Sequence, residues 1–129
     1  MSGSPQPTDG EIAILQVLWR RGPSTVRVVH EDLLKQRTVG YTTVLKMLQI
    51  MLVKRIVLRE DARRPHIYRP AQPSEQVQEG LVSALARKAF GGSAANLVMR
   101  ALSSKTTSRE DLREIRQLLD TIDSERGEE

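Results

Sequence analysis

The chain has 129 residues, of which 39% are hydrophobic, 28% charged and only 3% aromatic, with a formal net charge of +4. That length suits one ordinary domain, or a small domain with an appendage, whose core must be built from Leu, Ile, Val and Ala. Without cysteine there are no disulfides or thiolate metal sites, and with no signal-type leader and no run of roughly 18 apolar residues a soluble cytoplasmic protein with no membrane insertion is expected.

Charge is unevenly divided. Residues 1–70 hold 12 Lys/Arg against 6 Asp/Glu, whereas residues 71–129 hold 8 against 10. A basic first part and a mildly acidic second part point to a polyanion met by the one and a different task for the other.

Residues 1–7, rich in proline and serine, read as a disordered lead-in. Thr8 then opens T-x-x-E with Glu11, a capping box. Ile12, Leu15, Leu18 and Trp19 follow on one side at helical spacing, and Gly22-Pro23 ends the run. Trp19 reads as a core residue. Thr25 is placed to cap a second helix, with Val26, Val29, Leu33 and Leu34 on its apolar face and Arg27, Glu31 and Asp32 outside. His30 falls at the edge of that face and reads as structural, since one isolated histidine makes no metal site.

The stretch YTTVLKMLQIMLVK, residues 41–54, supplies a third helix. At 100° per residue, Tyr41, Val44, Leu45, Leu48, Met51 and Leu52 form one apolar arc with Met47 at its margin. Opposite lie Thr42, Thr43, Lys46, Gln49 and Lys54, with Ile50 and Val53 among them, and Thr42 or Thr43 is expected to cap the helix. IVLRE and HIYRP then read as two short strands around the charged turn DARRP. Three helices and a terminal hairpin give a winged helix-turn-helix over residues 8–71, within a mainly α fold that carries a small β-wing.

Residues 72–129 contain helical patterns only. Ser74 is placed to cap a helix running to about Phe90, with Val77, Leu81, Val82, Leu85 and Ala89 as its buried stripe and Gly80 as a mark of close packing. Gly91-Gly92 stops it, Ser93 starts a short helix, and Ser108 with Asp111 resembles a shifted capping box. Leu112, Ile115, Leu119 and Ile122 repeat at 3-4-3 spacing on the last helix, the seam of a helix pair. Short helices with apolar stripes need a further surface to cover them. A homodimer formed by residues 72–129 is therefore expected; the alternative is that the last helix folds back on its own N-terminal domain.

The polar side of the third helix suits the edges of base pairs. Thr42 and Thr43 stand at its start, Lys46 lies one turn on, and Gln49 sits deeper in the same arc. Tyr41 opens the segment, and Arg63 and Arg64 at the hairpin tip would hold phosphates. An enzyme is not expected, because the two histidines are far apart and neither a phosphate loop nor a serine elbow is present; no catalytic residue, metal or cofactor is assigned. The rival is a winged helix that docks an acidic protein partner.

The segments EIAILQVLWRRGPSTVRVVHEDL, GYTTVLKMLQIMLVKRIVLRE and HIYRP carry a resemblance to the penicillinase and methicillin-resistance repressors, the BlaI/MecI family. They are similar to its first-helix E-x-x-I/V-L-x-x-L-W, its turn into helix two, its Y-T-T-V recognition helix and its Y-x-P exit from the wing. The resemblance implies a dimeric repressor on a palindromic double-stranded DNA operator, with Tyr41, Thr42, Thr43 and Lys46 on the recognition helix and Arg63 and Arg64 on the wing. Through members that are inactivated by cleavage at an Asn-Phe bond, it also implies a membrane sensor protease as partner. The equivalent place here reads Ala89-Phe90, so the phenylalanine is kept and the asparagine is not. Copper-responsive relatives carry C-terminal cysteine motifs, and this chain has none.

Overall fold

The structure, a computed structural model, describes residues 6–127. The lead-in expected over residues 1–7 therefore lies largely outside the described residues. The elements in chain order are α1 (Asp9–Arg21), α2 (Val26–Leu33), α3 (Tyr41–Val53), β1 (Val57–Glu60), β2 (Ile67–Pro70), α4 (Ser74–Ala89), α5 (Ala94–Leu102) and α6 (Arg109–Gly127). They fall into two compact units, one running through Leu81 and the other beginning at Val82.

In the first unit α1, α2 and α3 close around a core completed by the two strands. Ile14, Leu15, Val17 and Leu18 come from α1, Val26, Val29 and Leu33 from α2, Val44, Leu48 and Met51 from α3, and Val57 and Tyr68 from the hairpin. Trp19, Leu45, Met47 and Leu52 pack partly buried against it. The strands pair antiparallel with Val57 opposite Pro70 and Arg59 opposite Tyr68, so period-two alternation sends Val57 and Tyr68 inward and Leu58 and Arg69 outward. A further bridge, absent from the sequence reading, joins the start of α2 to this hairpin. The Ser24 N–H donates to the Tyr68 carbonyl at 2.9 Å, and the Tyr68 N–H donates to that of Ser24 at 2.8 Å.

Local signals set most helix ends. The Thr8 hydroxyl accepts from the Glu11 N–H at 3.2 Å while Glu11 Oε1 accepts from the Thr8 N–H at 2.9 Å, the reciprocal box that the spacing predicts. Gly22, at φ 85°, ends α1 in the left-handed region. Neither threonine caps α3, contrary to expectation. Gly40 takes the N-cap position with extended dihedrals and no side-chain bond, which leaves both threonine hydroxyls uncommitted to the helix start. At the other end Arg55 adopts φ 64°, with its N–H bonded to the Leu52 carbonyl and the Ile56 N–H to that of Met51. This is a Schellman closure with arginine where glycine is usual, and it turns the chain into β1.

Two buried carboxylates tie the helices together, and both correct the surface pattern read from sequence. Asp32 is buried rather than outward-facing: it accepts from Arg20 and Arg21 of α1, with Lys35 Nζ at 3.5 Å. Lys54 is not free but donates to Glu11 Oε2 at 2.9 Å, joining the end of α3 to the start of α1. Burial pushes the Glu11 carboxyl up, but the Thr8 N–H and the Lys54 ammonium more than offset it; burial likewise raises Asp32, and the Arg21 and Arg20 hydrogen bonds outweigh it. Both groups thus titrate below their ordinary values. A carboxylate depressed in the folded state stabilises the fold above its unfolded pKa, and that contribution disappears as pH falls through the folded value. The thermal midpoint should accordingly drop as pH is lowered below about 4. Glu11→Gln should cost about 1 kcal/mol at pH 7, and that cost should shrink as pH falls through the lowered pKa of Glu11. Parallel melting curves for variant and wild type at every pH would remove Glu11 from this role.

In the second unit Ala86 is the one buried hydrophobic residue among those described, and neither α5 nor α6 buries any residue. The stripe expected along α4 is corrected: Val82, Leu85 and Ala89 are exposed, and Val77 and Leu81 are half-buried. Val77 packs against the core of the first unit, whereas helical spacing aligned Val82, Leu85 and Ala89 without supplying anything to cover them. Gly80 marks no close approach either, since a side chain there would meet only Gln6 at ordinary contact distance. Ser93 and Ser108 do cap α5 and α6, accepting from the N–H groups of Asn96 and Asp111 at 3.0 Å each.

Candidate nucleic-acid interface

The core-facing side of α3 is fixed by Val44, Leu48 and Met51, each with no exposed surface. Thr42, Thr43, Lys46 and Gln49 therefore stand on the opposite side, and all four are exposed. No acidic residue occurs anywhere in α3, so the positive end of its dipole and the Lys46 ammonium act with the same sign. Tyr41 is half exposed and serves two surfaces. Its ring meets His30 edge to face at 5.8 Å, and His30 Nε2 bonds the Val39 carbonyl at 2.8 Å, holding the turn that precedes α3. His30 is thus structural in the sense its spacing suggests.

The hairpin turn presents Arg63 and Arg64, both exposed. Arg63 lies 3.8 Å from Glu60, and Arg59 behind it is engaged by Asp61. Arg64 forms no ion pair among the described residues, nor do Arg37, Lys46, Arg55 and Arg69 of the first unit. The paired cations Arg20, Arg21, Arg27, Lys35, Lys54, Arg59 and Arg63 take up five of the six acids of residues 1–70. The positive charge left over is what a polyanion would meet.

A cleft of about 680 Å³ joins these parts, running from Thr25 and Arg27 at the start of α2, past Tyr41, to Arg64 and His66 of the hairpin. It brings Tyr41 and Arg64 together across one opening. Thr42, Thr43, Lys46, Gln49 and Arg63 do not line it and occupy the surface beyond. Arg27 was read as an ordinary outward residue, and the structure sets it on this cleft, 3.3 Å from Glu31. The Ser24–Tyr68 bridge draws the start of α2, and Arg27 with it, to the hairpin.

In the second unit, Leu112, Ile115 and Ile122 are half-buried along one side of α6, and Leu119 and the adjacent Leu118 are 53% and 58% exposed. Ala89 is exposed and Phe90 half-buried where α4 ends at Gly91-Gly92. Among the described residues no helix is long and apolar enough to cross a membrane.

Three helices, the last with an uncovered polar side, followed by an antiparallel hairpin, define a winged helix-turn-helix protein. The model of the penicillinase repressor family matches residues 7–121, and the chain belongs to that family. This is a family of repressors, not of enzymes. The chain is 41% identical over 87 residues to the transcriptional regulator BlaI of Mycobacterium tuberculosis, in strains CDC 1551 and H37Rv alike. The match covers 66% of this chain and 63% of those relatives, so it spans less than two thirds of their length. Among solved structures, the monomeric form of Bacillus licheniformis BlaI in complex with the blaP half-operator aligns at a TM-score of 0.50 and 24% identity, over 58% of this chain and 92% of that one. A MarR family protein from Bacillus stearothermophilus aligns at 0.55 and 15%, over 95% and 77%. Both likenesses confirm the winged-helix fold.

Proposed function

We propose that the chain is a sequence-specific repressor that binds a palindromic double-stranded DNA operator as a homodimer. The observation that carries this reading is the exposed, acid-free side of α3, with Thr42, Thr43, Lys46 and Gln49 on it, beside a hairpin whose Arg64 makes no ion pair among the described residues. In this arrangement α3 lies in the major groove. Thr42, Thr43, Lys46 and Gln49 meet base edges, Tyr41 flanks them, and Arg63 and Arg64 grip the adjacent backbone. Residues 8–71 make up the DNA-binding domain and residues 72–129 the dimerisation domain, with Leu112, Ile115, Leu119 and Ile122 at the seam. The half-operator bound by the Bacillus licheniformis relative agrees with a two-fold site. Induction by a membrane sensor protease cutting at Ala89-Phe90 has less support, because the family's asparagine is missing there.

The test is the salt dependence of binding to duplexes selected from a random library by the full-length protein. Each phosphate neutralised contributes about −0.9 to the slope of log K against log salt, so several contacts give a steep line. Arg64→Ala, which removes one phosphate contact from each half of the dimer, should make that slope shallower by about two and weaken all sequences about equally. A flat line for the wild type would favour the rival, a module that docks an acidic protein. A loss restricted to one sequence would mean that Arg64 reads bases.

A further inference from the structure

The outward side of α3 is not wholly polar. Ile50 is 44% exposed there, although the core-facing side of the same helix is filled by Val44, Leu48 and Met51. Its presence is not explained by helix propensity, since a β-branched residue at an open position is a weaker choice than Ala, Lys or Glu. At 100° per residue Ile50 lies roughly 20° from Thr43 and 40° from Lys46, between the two on the side assigned to DNA. With a rise of about 1.5 Å per residue, it stands about 10 Å further along the axis than Thr43, a distance of about three base pairs.

We infer that Ile50 reads sequence by packing against the 5-methyl group of a thymine about three base pairs from the step met by Thr43. The inference rests on the reading that α3 enters the major groove. There the thymine methyl is the one apolar feature that distinguishes a base pair, and an aliphatic side chain is its natural partner. A protein surface is the poorer occupant. Lys46 stands one turn before Ile50 with no ion pair among the described residues, and α3 offers no acidic residue, so a cation and a methyl-reading side chain sit together as groove-facing helices require. Val53, 83% exposed at the last position of α3, lies about 15 Å from Thr43 and provides a control on the same helix.

Deoxyuridine replaces each thymidine of a selected duplex in turn, symmetrically in both halves, and binding is measured for wild type, Ile50→Ala and Val53→Ala. For the wild type one position should lose about 15-fold in affinity, the equivalent of two methyl groups, one in each half, leaving buried contacts. Ile50→Ala should bind the thymine and uracil duplexes equally at that position, and Val53→Ala should still tell them apart. The salt slope and melting temperature of Ile50→Ala should match wild type. Wild-type indifference at every thymine, or discrimination that survives in Ile50→Ala, overturns the assignment to Ile50 while leaving the DNA reading intact. Failure of the wild type to bind any selected duplex overturns both.

Discussion

Replacing Thr43 and Lys46 together by alanine should reduce affinity for a selected operator by roughly 1,000-fold without lowering the melting temperature. Direct contacts to base edges contribute about 1–3 kcal/mol each, and two-fold symmetry makes four of them, so even the low end of that range gives a loss of about 4 kcal/mol. The fold should not suffer, because both side chains are exposed, neither caps α3, and Lys46 has no ion-pair partner among the described residues. Alanine is also the better helix former at both places. The loss should depend on sequence: affinity for unrelated duplex should fall only by the share due to the Lys46 charge. Titration by fluorescence anisotropy against matched and scrambled duplexes separates these effects. Unimpaired, sequence-selective binding by the folded double variant would falsify the assignment of α3 as the reading helix.

Which of these features the sequence discloses depends on how local their causes are. The Thr8–Glu11 box and the Thr25, Ser93 and Ser108 caps each involve residues three apart, and all four form where the spacing places them. The third helix and the hairpin are legible for the same reason, since periods of 3.6 and 2 are properties of a short window. Asp32 is misplaced because its helix period sets it outward, while its partners Arg20 and Arg21 lie on α1 and reach it only after the two helices pack. Lys54 has the same character, being drawn from the outer side of α3 by Glu11 at a separation of 43 residues. The bridge at Ser24 involves a single residue and has no periodicity to detect. On α4, spacing identifies which residues share a side but not what that side meets, and Val82 and Leu85 remain exposed. The exposed side of α3, with Thr42, Thr43, Lys46 and Gln49, is legible as what remains once an amphipathic helix has committed its apolar side. Arg27 was not, because its position depends on contacts made across the fold.

On the proposed homodimer reading, the wild type should sediment as a dimer and Leu119→Asp should shift it to monomer at the same concentrations. The second unit buries little apolar surface by itself: Ala86 is its single buried hydrophobic residue among those described, and Leu85, Val98, Met99, Leu118 and Leu119 are all about half exposed. An apolar surface of this extent on helices that lack a core calls for a covering partner. Through two-fold symmetry one substitution alters the interface twice. Losing a buried leucine removes about 1.5–3 kcal/mol in each copy, before any penalty for desolvating the new carboxylate, so the dimer should dissociate at least 100-fold more readily. Affinity for a full palindrome should fall with it, because the second half-site is no longer held at high effective concentration. Binding to an isolated half-site should stay close to wild type, since the change lies outside α3 and the hairpin. Sedimentation velocity at several loading concentrations, together with titration of full and half sites, reads both effects. A dimer that persists in Leu119→Asp with full-site affinity unchanged would place the subunit contact on a surface other than the Leu112–Ile122 side of α6.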